Sequence, residues 1–472
     1  MRERAKLCIF FAARKTTASP WRASRRAYAP RSPNPRPASR NHDVGYLPGI
    51  HSARATFRLR VDEIGRRMAR PLIIIYIAVA LDAMGIGLIF PILPALLKDL
   101  THSGSVAPYI GGLTALYAGL QFLFAPVLGA LSDQYGRRPV LLASLAGAAL
   151  DYLILAVAPG FWLLVIGRAI AGLTSANMSV AGAYITDITP EEHRARRFGL
   201  FNAMFGAGFI VGPVLGGVLG DHWIRLPFVA ASLLNACNLL LAWFLLPETR
   251  TPTGERFDAA AFNPLRPLRW VLKSRSILPI FLIYFTLSAA GEAYGVCWAL
   301  WGHDAFNWNA FWIGLSLGTF GVFQTLVQAF LPGVAVARLG ERRAVLLGIG
   351  CSCGALVAMA FADRGWMVFT IMPFFALGSL GTPALQALAT RQVASHDQGR
   401  LQGVLSAAIS LASIAAPIAF STIYLLVESH WPGAVWLFVA AVNLFAVPLV
   451  LLGTRRLQVP QPSAKPDIPL SR

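Results

Sequence analysis

Twelve apolar stretches, each about as long as a bilayer is thick, run between residue 71 and residue 453, parted by charged or Pro/Gly-rich breaks. A hydrocarbon core about 30 Å across takes about 20 residues of helix. It holds no water for a backbone N–H or C=O, so each segment must satisfy those groups internally. The sequence therefore specifies an all-α membrane protein with twelve transmembrane helices. The spans fall near 71–95, 107–130, 138–158, 161–185, 198–220 and 226–246, then near 277–301, 311–334, 343–362, 366–389, 401–425 and 433–453. Composition agrees: 13% of residues are charged, against about 25% in soluble domains.

The formal charge of +19 would suit a nucleic-acid binder if it were spread over a soluble domain. It is not. Residues 1–67 hold 16 Lys or Arg against 4 Asp or Glu, a net of +12, leaving +7 for the rest of the chain. This basic extension has no sustained period and no long apolar run, so it is expected to lack a fold of its own. It reads as a transit-type or lipid-binding arm, or as sequence ahead of a true start at Met68. The remaining organisation is a six-span half (68–246), a cytoplasmic linker (247–276), a second six-span half (277–455) and a cytoplasmic tail (456–472). With the leader in the cytoplasm, the loops on that side hold 16 Lys or Arg, and the opposite loops hold Lys98, Arg225 and Arg364. Positive charge stays inside, which puts both termini in the cytoplasm.

The loop after span 2 runs Gly129-Ala-Leu-Ser-Asp133-Gln-Tyr-Gly136-Arg137-Arg138-Pro-Val-Leu-Leu142. The loop after span 8 runs Gly333-Val-Ala-Val-Ala-Arg338-Leu-Gly340-Glu-Arg-Arg-Ala-Val-Leu-Leu347, a decayed copy. An echo six spans apart is the trace of two homologous halves, as in transporters whose site lies between repeats. Ionisable side chains within spans cost about 2.5–3.5 kcal/mol and are kept where they pair, line water or titrate. Asp82, Asp151, Arg168 and Glu292 qualify, and are the candidates for proton coupling. The alternative for Asp151 and Arg168 is a purely structural pair, and for Asp82 a packing role. Gln121, Gln324, Gln328 and Gln386 offer hydrogen bonds to a polar ligand in a central cavity, or to a neighbouring helix, and Asn177 and Ser352 are further candidates for the lining of that cavity. The cysteines Cys8, Cys237, Cys297, Cys351 and Cys353 show no metal-binding spacing. No catalytic constellation is present, so neither an enzyme nor a soluble cofactor is expected.

Gly129 to Leu142 resembles the signature loop of the major facilitator superfamily, which implies that fold: two homologous six-helix halves. The resemblance assigns Asp133, Gly136, Arg137 and Arg138, with Asp187, to a cytoplasmic gate that stabilises the outward-open state. Gly208-Phe-Ile-Val-Gly212-Pro213-Val-Leu-Gly216-Gly217 resembles the antiporter helix of the drug-exporting branches. Glycines four apart allow close helix approach, and Pro213 lets the helix bend.

Leu81-Asp82-Ala-Met-Gly85-Ile-Gly87, Leu150-Asp151-Tyr152, Gly167-Arg168, Asp187-Ile-Thr, Pro383-Ala-Leu-Gln386 and Gln398-Gly-Arg-Leu-Gln402-Gly resemble the tetracycline-resistance efflux proteins of Gram-negative bacteria. That family exports a tetracycline chelated to a divalent cation in exchange for a proton, by alternating access, from the inner membrane. The partners implied are a small molecule, protons and the lipid bilayer, with no nucleic acid. Two departures bear on the substrate. The span 9 acid of the family falls at Ser352, while Glu292 places an acid in span 7. A Gly-rich stretch of span 4 reads here Gly172-Leu-Thr-Ser175-Ala-Asn177-Met178-Ser179. The expected function is a proton-coupled exporter with tetracycline as first candidate. The alternatives are an exporter of another drug or metabolite, and a non-transporting membrane sensor on the same fold.

Overall fold

The computed structural model describes residues 71–250, 266–274, 277–391, 393 and 397–453. The expected extension 1–67 with its candidate start at Met68, residues 251–265 and 275–276 of the linker, and the tail 456–472 lie outside the described residues. Among those residues, twelve helices are long and apolar enough to cross a membrane. They are α1 (Pro71–Ile89), α2 (Ala107–Tyr135), α3 (Arg137–Val157), α4 (Phe161–Asp187), α5 (Glu191–His222) and α6 (Leu226–Leu245), then α7 (Ile277–Phe306), α8 (Ala310–Leu339), α9 (Glu341–Ala360), α10 (Gly365–Thr390), α11 (Gln398–Val427) and α12 (Ala434–Leu451). Two short helices, Leu93–Thr101 and Arg266–Lys273, lie between them.

Local chemistry sets the helix ends. Pro108 and Pro227 occupy the first turns of α2 and α6, where a missing N–H costs nothing. The Asn309 side chain caps α8 by accepting the Trp312 N–H at 3.2 Å, one of the donors a helix start leaves free. Two ends and one interior break depart most from the sequence reading. The first span stops at Ile89 and turns through Phe90-Pro91-Ile92 before the short helix, because Pro91 cannot donate and disfavours a helical residue ahead of it. α5 begins at Glu191, well before its apolar run, since a helix continues past the bilayer into water, and Glu191 and Glu192 in its first turn suit the positive end of the helix dipole. α4 is interrupted: helix runs to Thr174 and resumes at Asn177.

Apolar packing is arranged differently at the two ends of the bundle. At the end holding the turns before α3 and α9, the buried residues form two separate cores. One is built from α1, α3, α4, α5 and α6, including Ile75, Leu141, Tyr184 and Phe201. The other is built from α7, α9, α10, α11 and α12, including Ile280, Val345, Leu388 and Val404. At the far end a single core takes residues from both halves, including Leu88, Ile110, Phe228, Trp298, Ile313, Phe420 and Trp436.

Glycine spacing explains the far-end closure. On α5 a Cβ at Gly217 would meet Ala310 O and Phe311 Cα of α8, and one at Gly318 or Gly321 of α8 would meet Val214 or Ile210 of α5. Gly111 of α2 lies in the same way against Pro417 O and Ser421 of α11. Gly199 and Gly206 of α5 and Gly333 of α8, toward the loop end, have no atom within 4 Å of a Cβ. The halves are joined at the far end and parted at the loop end.

Candidate transport site

Two connected cavities occupy the space between the halves. The outer one, about 1200 Å³, runs from the loop end, where Trp270 and Arg400 line it, past Phe122 and Met178. The inner one, about 300 Å³, is walled by Ile89, Phe90, Leu113, Val296 and Ala299 together with the charged groups. Asp82, Ile86, Tyr117, Gln121, Ser175 and Asn177 line both, so these six form the neck between them.

The neck is built on the break in α4. At Ser175 and Ala176 the chain leaves helical geometry, with ψ of 82° at Ser175. Thr174 turns its hydroxyl back onto Ile170 O at 2.9 Å, a competition with the helix ladder that Ser and Thr offer. The freed Ser175 hydroxyl becomes a hub. Gln121 Nε2 donates to it at 2.7 Å, and the Tyr117 hydroxyl lies 2.8 Å away. Just past the break, Asn177 Nδ2 donates to Asp82 Oδ1 at 3.0 Å, and its Oδ1 is buried without a partner. The neck thus presents a polar edge from α1, α2 and α4 to anything that passes.

In the inner chamber Arg168 and Asp151 form an ion pair, with Arg168 Nε donating to Asp151 Oδ1 at 3.2 Å. Asp151 is 1% exposed. The Arg168 guanidinium also sits over the Tyr117 ring, 5.8 Å from its centroid. Glycine at 167 leaves room for the pair, because a Cβ there would fall 2.9 Å from Asp151 Oδ1. Across the chamber Glu292 of α7 accepts the Ser413 hydroxyl of α11 at 2.5 Å. The chamber therefore gathers three carboxyls, Asp82, Asp151 and Glu292, and one guanidinium, which pairs with Asp151.

The glycines of the antiporter helix face two ways. Gly208, Gly212 and Gly216 lie against Ala80, Met84 and Leu88 of α1, and Gly217 against α8. Both partners advance together, so α1 and α5 run parallel.

The signature loop is a compact knot of charge. Arg137 is 7% exposed and reaches Asp133 Oδ1 at 2.7 Å, Asp187 Oδ2 at 3.1 Å and Ser132 Oγ at 2.7 Å. Arg138 donates to Trp243 O at 2.5 Å. Gly136 has φ of +105°, in the region that favours glycine, and a Cβ there would fall 2.6 Å from Glu248 Cδ. That carboxylate accepts the backbone N–H groups of Arg137 and Arg138 at 2.9 and 3.1 Å, capping α3. Arg250 completes the set at 2.6 Å from Asp133. All these residues precede residue 251, so the knot is confined to the first half and its exit.

The copy before α9 repeats the geometry with inverted charge. Gly340 has φ of +77°, Arg342 donates to Leu451 O as Arg138 does to Trp243 O, and Glu341 pairs with Arg391 at 2.8 Å. Glu341 stands where Arg137 stands, and Arg391 where Asp187 does. The glycines, rather than the arginine pairs, keep the two loops in structural register.

Four residues expected in the cavity lie elsewhere. Ser352 packs against Gly378 of α10 and takes Asn443 Nδ2 of α12 at 3.5 Å. α9 turns that face to α10 and α12, not to the space between the halves. Gln324, half-buried, and Gln328 and Gln386, both exposed, line neither cavity. Tyr117, Ser175, Ser413 and Glu248 were missed. Tyr117 sits one turn from Gln121, a spacing that shares a face, but Glu248 follows an apolar run and reads as the start of a linker.

The comparisons with known proteins fit this architecture. The tetracycline resistance protein of class C from Escherichia coli is 47% identical over 382 residues, 81% of this chain and 96% of that protein. The class G protein from Vibrio anguillarum is 45% identical, over 80% of this chain and 96% of its own. Among solved structures the nucleoside transporter NupG shares the fold, with a TM-score of 0.69, 12% identity and coverage of 81% and 99% of the two chains. The profile of the Major Facilitator Superfamily matches residues 75–302 and 280–471, and the chain belongs to that superfamily of membrane transporters.

Proposed function

We propose that this chain is a proton-coupled exporter of tetracycline, taken with a divalent cation, in a bacterial inner membrane. The carrying observation is the inner chamber, lined by Asp82, Glu292 and the Asp151–Arg168 ion pair, behind a neck open to the loop end. Its relatives named for tetracycline resistance supply the substrate. A carboxyl in such a site can exchange a proton for a cationic ligand, since each favours the site without the other. The positive loops put both termini and the open end in the cytoplasm, so the form described is inward-open. Alternating access follows from exchanging which end is joined. Asp82 with Asn177, Asp151 with Arg168, and Glu292 with Ser413 are the coupling groups. Gln121, Tyr117 and Ser175 are the hydrogen-bonding contacts to substrate. Asp133, Gly136, Arg137, Arg138 and Asp187, with Glu248, hold the cytoplasmic gate. The protein needs no bound cofactor beyond the proton gradient.

The test uses inverted membrane vesicles holding the chain, made acidic inside, with magnesium and tetracycline added outside. Tetracycline is expected to release lumenal protons, and Asp151→Asn to abolish the release. Folded, inserted protein that releases none overturns the proposal.

A further inference from the structure

The mouth of the outer cavity is built in part by the linker. Trp270 of the short helix Arg266–Lys273 and Arg400 of α11 line the cavity at its loop end. The linker helix is rooted in the second half: Val271 is 2% exposed, within the core that holds Ile277, Ile280 and Val404, and Trp270 packs against the same core. The Arg400 guanidinium lies over the indole, 5.1 Å from the ring centroid. Its Nη1 donates to Asp397 Oδ1 at 3.1 Å, a pair in which the arginine side chain is 64% exposed. A guanidinium has five N–H donors, so this exposed pair leaves others for a ligand.

Charge is divided between the two ends of this cavity. Among the described residues that line it, Asp82 at the neck and Arg400 at the mouth are the charged side chains. Between them α11 presents Gly403, Ser406, Ala407 and Ser410, small residues whose spacing of three and four shares one helix face. Arg400 and Ser410 are ten residues apart on α11, about 15 Å of helix. About one turn further along the same helix, Ser413 holds Glu292 in the inner chamber. The first half contributes Phe122, Met178 and Phe205 to the wall. The cavity is thus an apolar-walled passage with a carboxylate at one end and a stacked indole and guanidinium at the other.

The geometry points to a recognition subsite at the mouth: Trp270 and Arg400 take an aromatic ring of the substrate that bears an acidic oxygen, while the cationic end of the same molecule lies toward Asp82. The indole supplies the stacking surface. Arg400, planar and already stacked, donates to the oxygen. The ligand class is a fused-ring amphiphile with an acidic oxygen on its aromatic ring and a cationic centre some distance away. A tetracycline has that pattern, with a phenol ring at one end and an amine at the other, so the subsite deepens the exporter reading above and rests on it. Because the linker helix and α11 share one core, Trp270 and Arg400 move as a unit, and the linker becomes part of the substrate wall.

Tetracycline binding to the full chain, purified in detergent with magnesium and without a proton gradient, is measured by equilibrium dialysis. Trp270→Leu keeps an apolar side chain but removes the ring, and is expected to weaken binding roughly three- to tenfold, the range of an aromatic pair. Trp270→Phe keeps a ring and is expected to stay within about twofold of the parent. Arg400→Gln is expected to weaken binding roughly three- to fivefold, the upper range for a solvent-exposed charge pair. If Trp270→Leu does not fold, Arg400→Gln decides alone, since that exposed side chain leaves no hole in a core. Affinity unchanged in either the Trp270→Leu or the Arg400→Gln protein overturns the subsite and leaves the exporter reading standing. A parent chain that binds no tetracycline overturns both.

Discussion

Placing alanine at Gly212 and at Gly206 is expected to change stability in opposite directions, although both lie on α5. A Cβ at Gly212 would stand 2.5 Å from Met84 O and 2.9 Å from Gly87 Cα, both backbone atoms of α1 and neither able to rotate aside. Carbon atoms in comfortable contact lie about 3.5–4.0 Å apart, so α1 has to retreat by about 1 Å. The retreat also opens the contacts of Gly208 with Ala80 and of Gly216 with Leu88. A gap of about 0.5–1 Å already forfeits a quarter to a half of the dispersion energy at each contact. Overpacking costs about 1–3 kcal/mol, and the extended seam puts Gly212→Ala near the upper figure. At Gly206 nothing lies within 4 Å of a Cβ, and alanine only removes backbone freedom, a gain of about 0.5–1 kcal/mol. Thermal unfolding of the purified variants in one detergent measures both. A Gly212→Ala protein as stable as Gly206→Ala would refute the seam as described.

Other substitutions probe the charged groups. Arg168→Gln leaves the Asp151 carboxylate buried without its partner and is expected to cost about 3–5 kcal/mol, most of it recovered when Asp151→Asn is added; thermal unfolding of the single and double variants decides this. Glu248→Ala removes the acceptor for the first two N–H groups of α3, a loss of about 1 kcal/mol, seen as a lowered unfolding midpoint that Glu248→Gln partly restores. Glu341→Gln is expected to cost under about 1 kcal/mol, because Arg391 is largely exposed, and the double change Glu341→Arg with Arg391→Glu to return to the parent value. A swap no better than either single change in a double-mutant cycle would show that the inverted pair contributes nothing.

The sites differ in how far they can be read from sequence. Asp151 and Arg168 stand out because an apolar run makes any ionisable residue conspicuous, and the structure pairs them. Glu292 stands out for the same reason, but its partner Ser413 is an ordinary span serine 121 residues away. Ser352 shows the converse. Its position along the span says which residue it is, while the face it presents depends on how α9 packs against α10 and α12. The one-residue offset between the loop copies is likewise hidden. The arginine pairs align by letter, yet the turns are set by Gly136 and Gly340, where positive φ selects glycine.

The sequence by itself determined the quantities that depend on solvation along the chain. Twelve segments are too apolar for water, the basic residues cluster on one side of them, and four ionisable side chains are too costly to be incidental. Tertiary structure alone decided which end of the bundle is joined, where α4 breaks, and which polar groups meet. Those outcomes rest on backbone approaches such as Gly217 to Ala310 and on hydrogen bonds such as Glu248 to Arg137, whose partners are 111 residues apart. Transfer from water is paid residue by residue and leaves a local trace, whereas contact energy belongs to pairs that only the folded chain brings together.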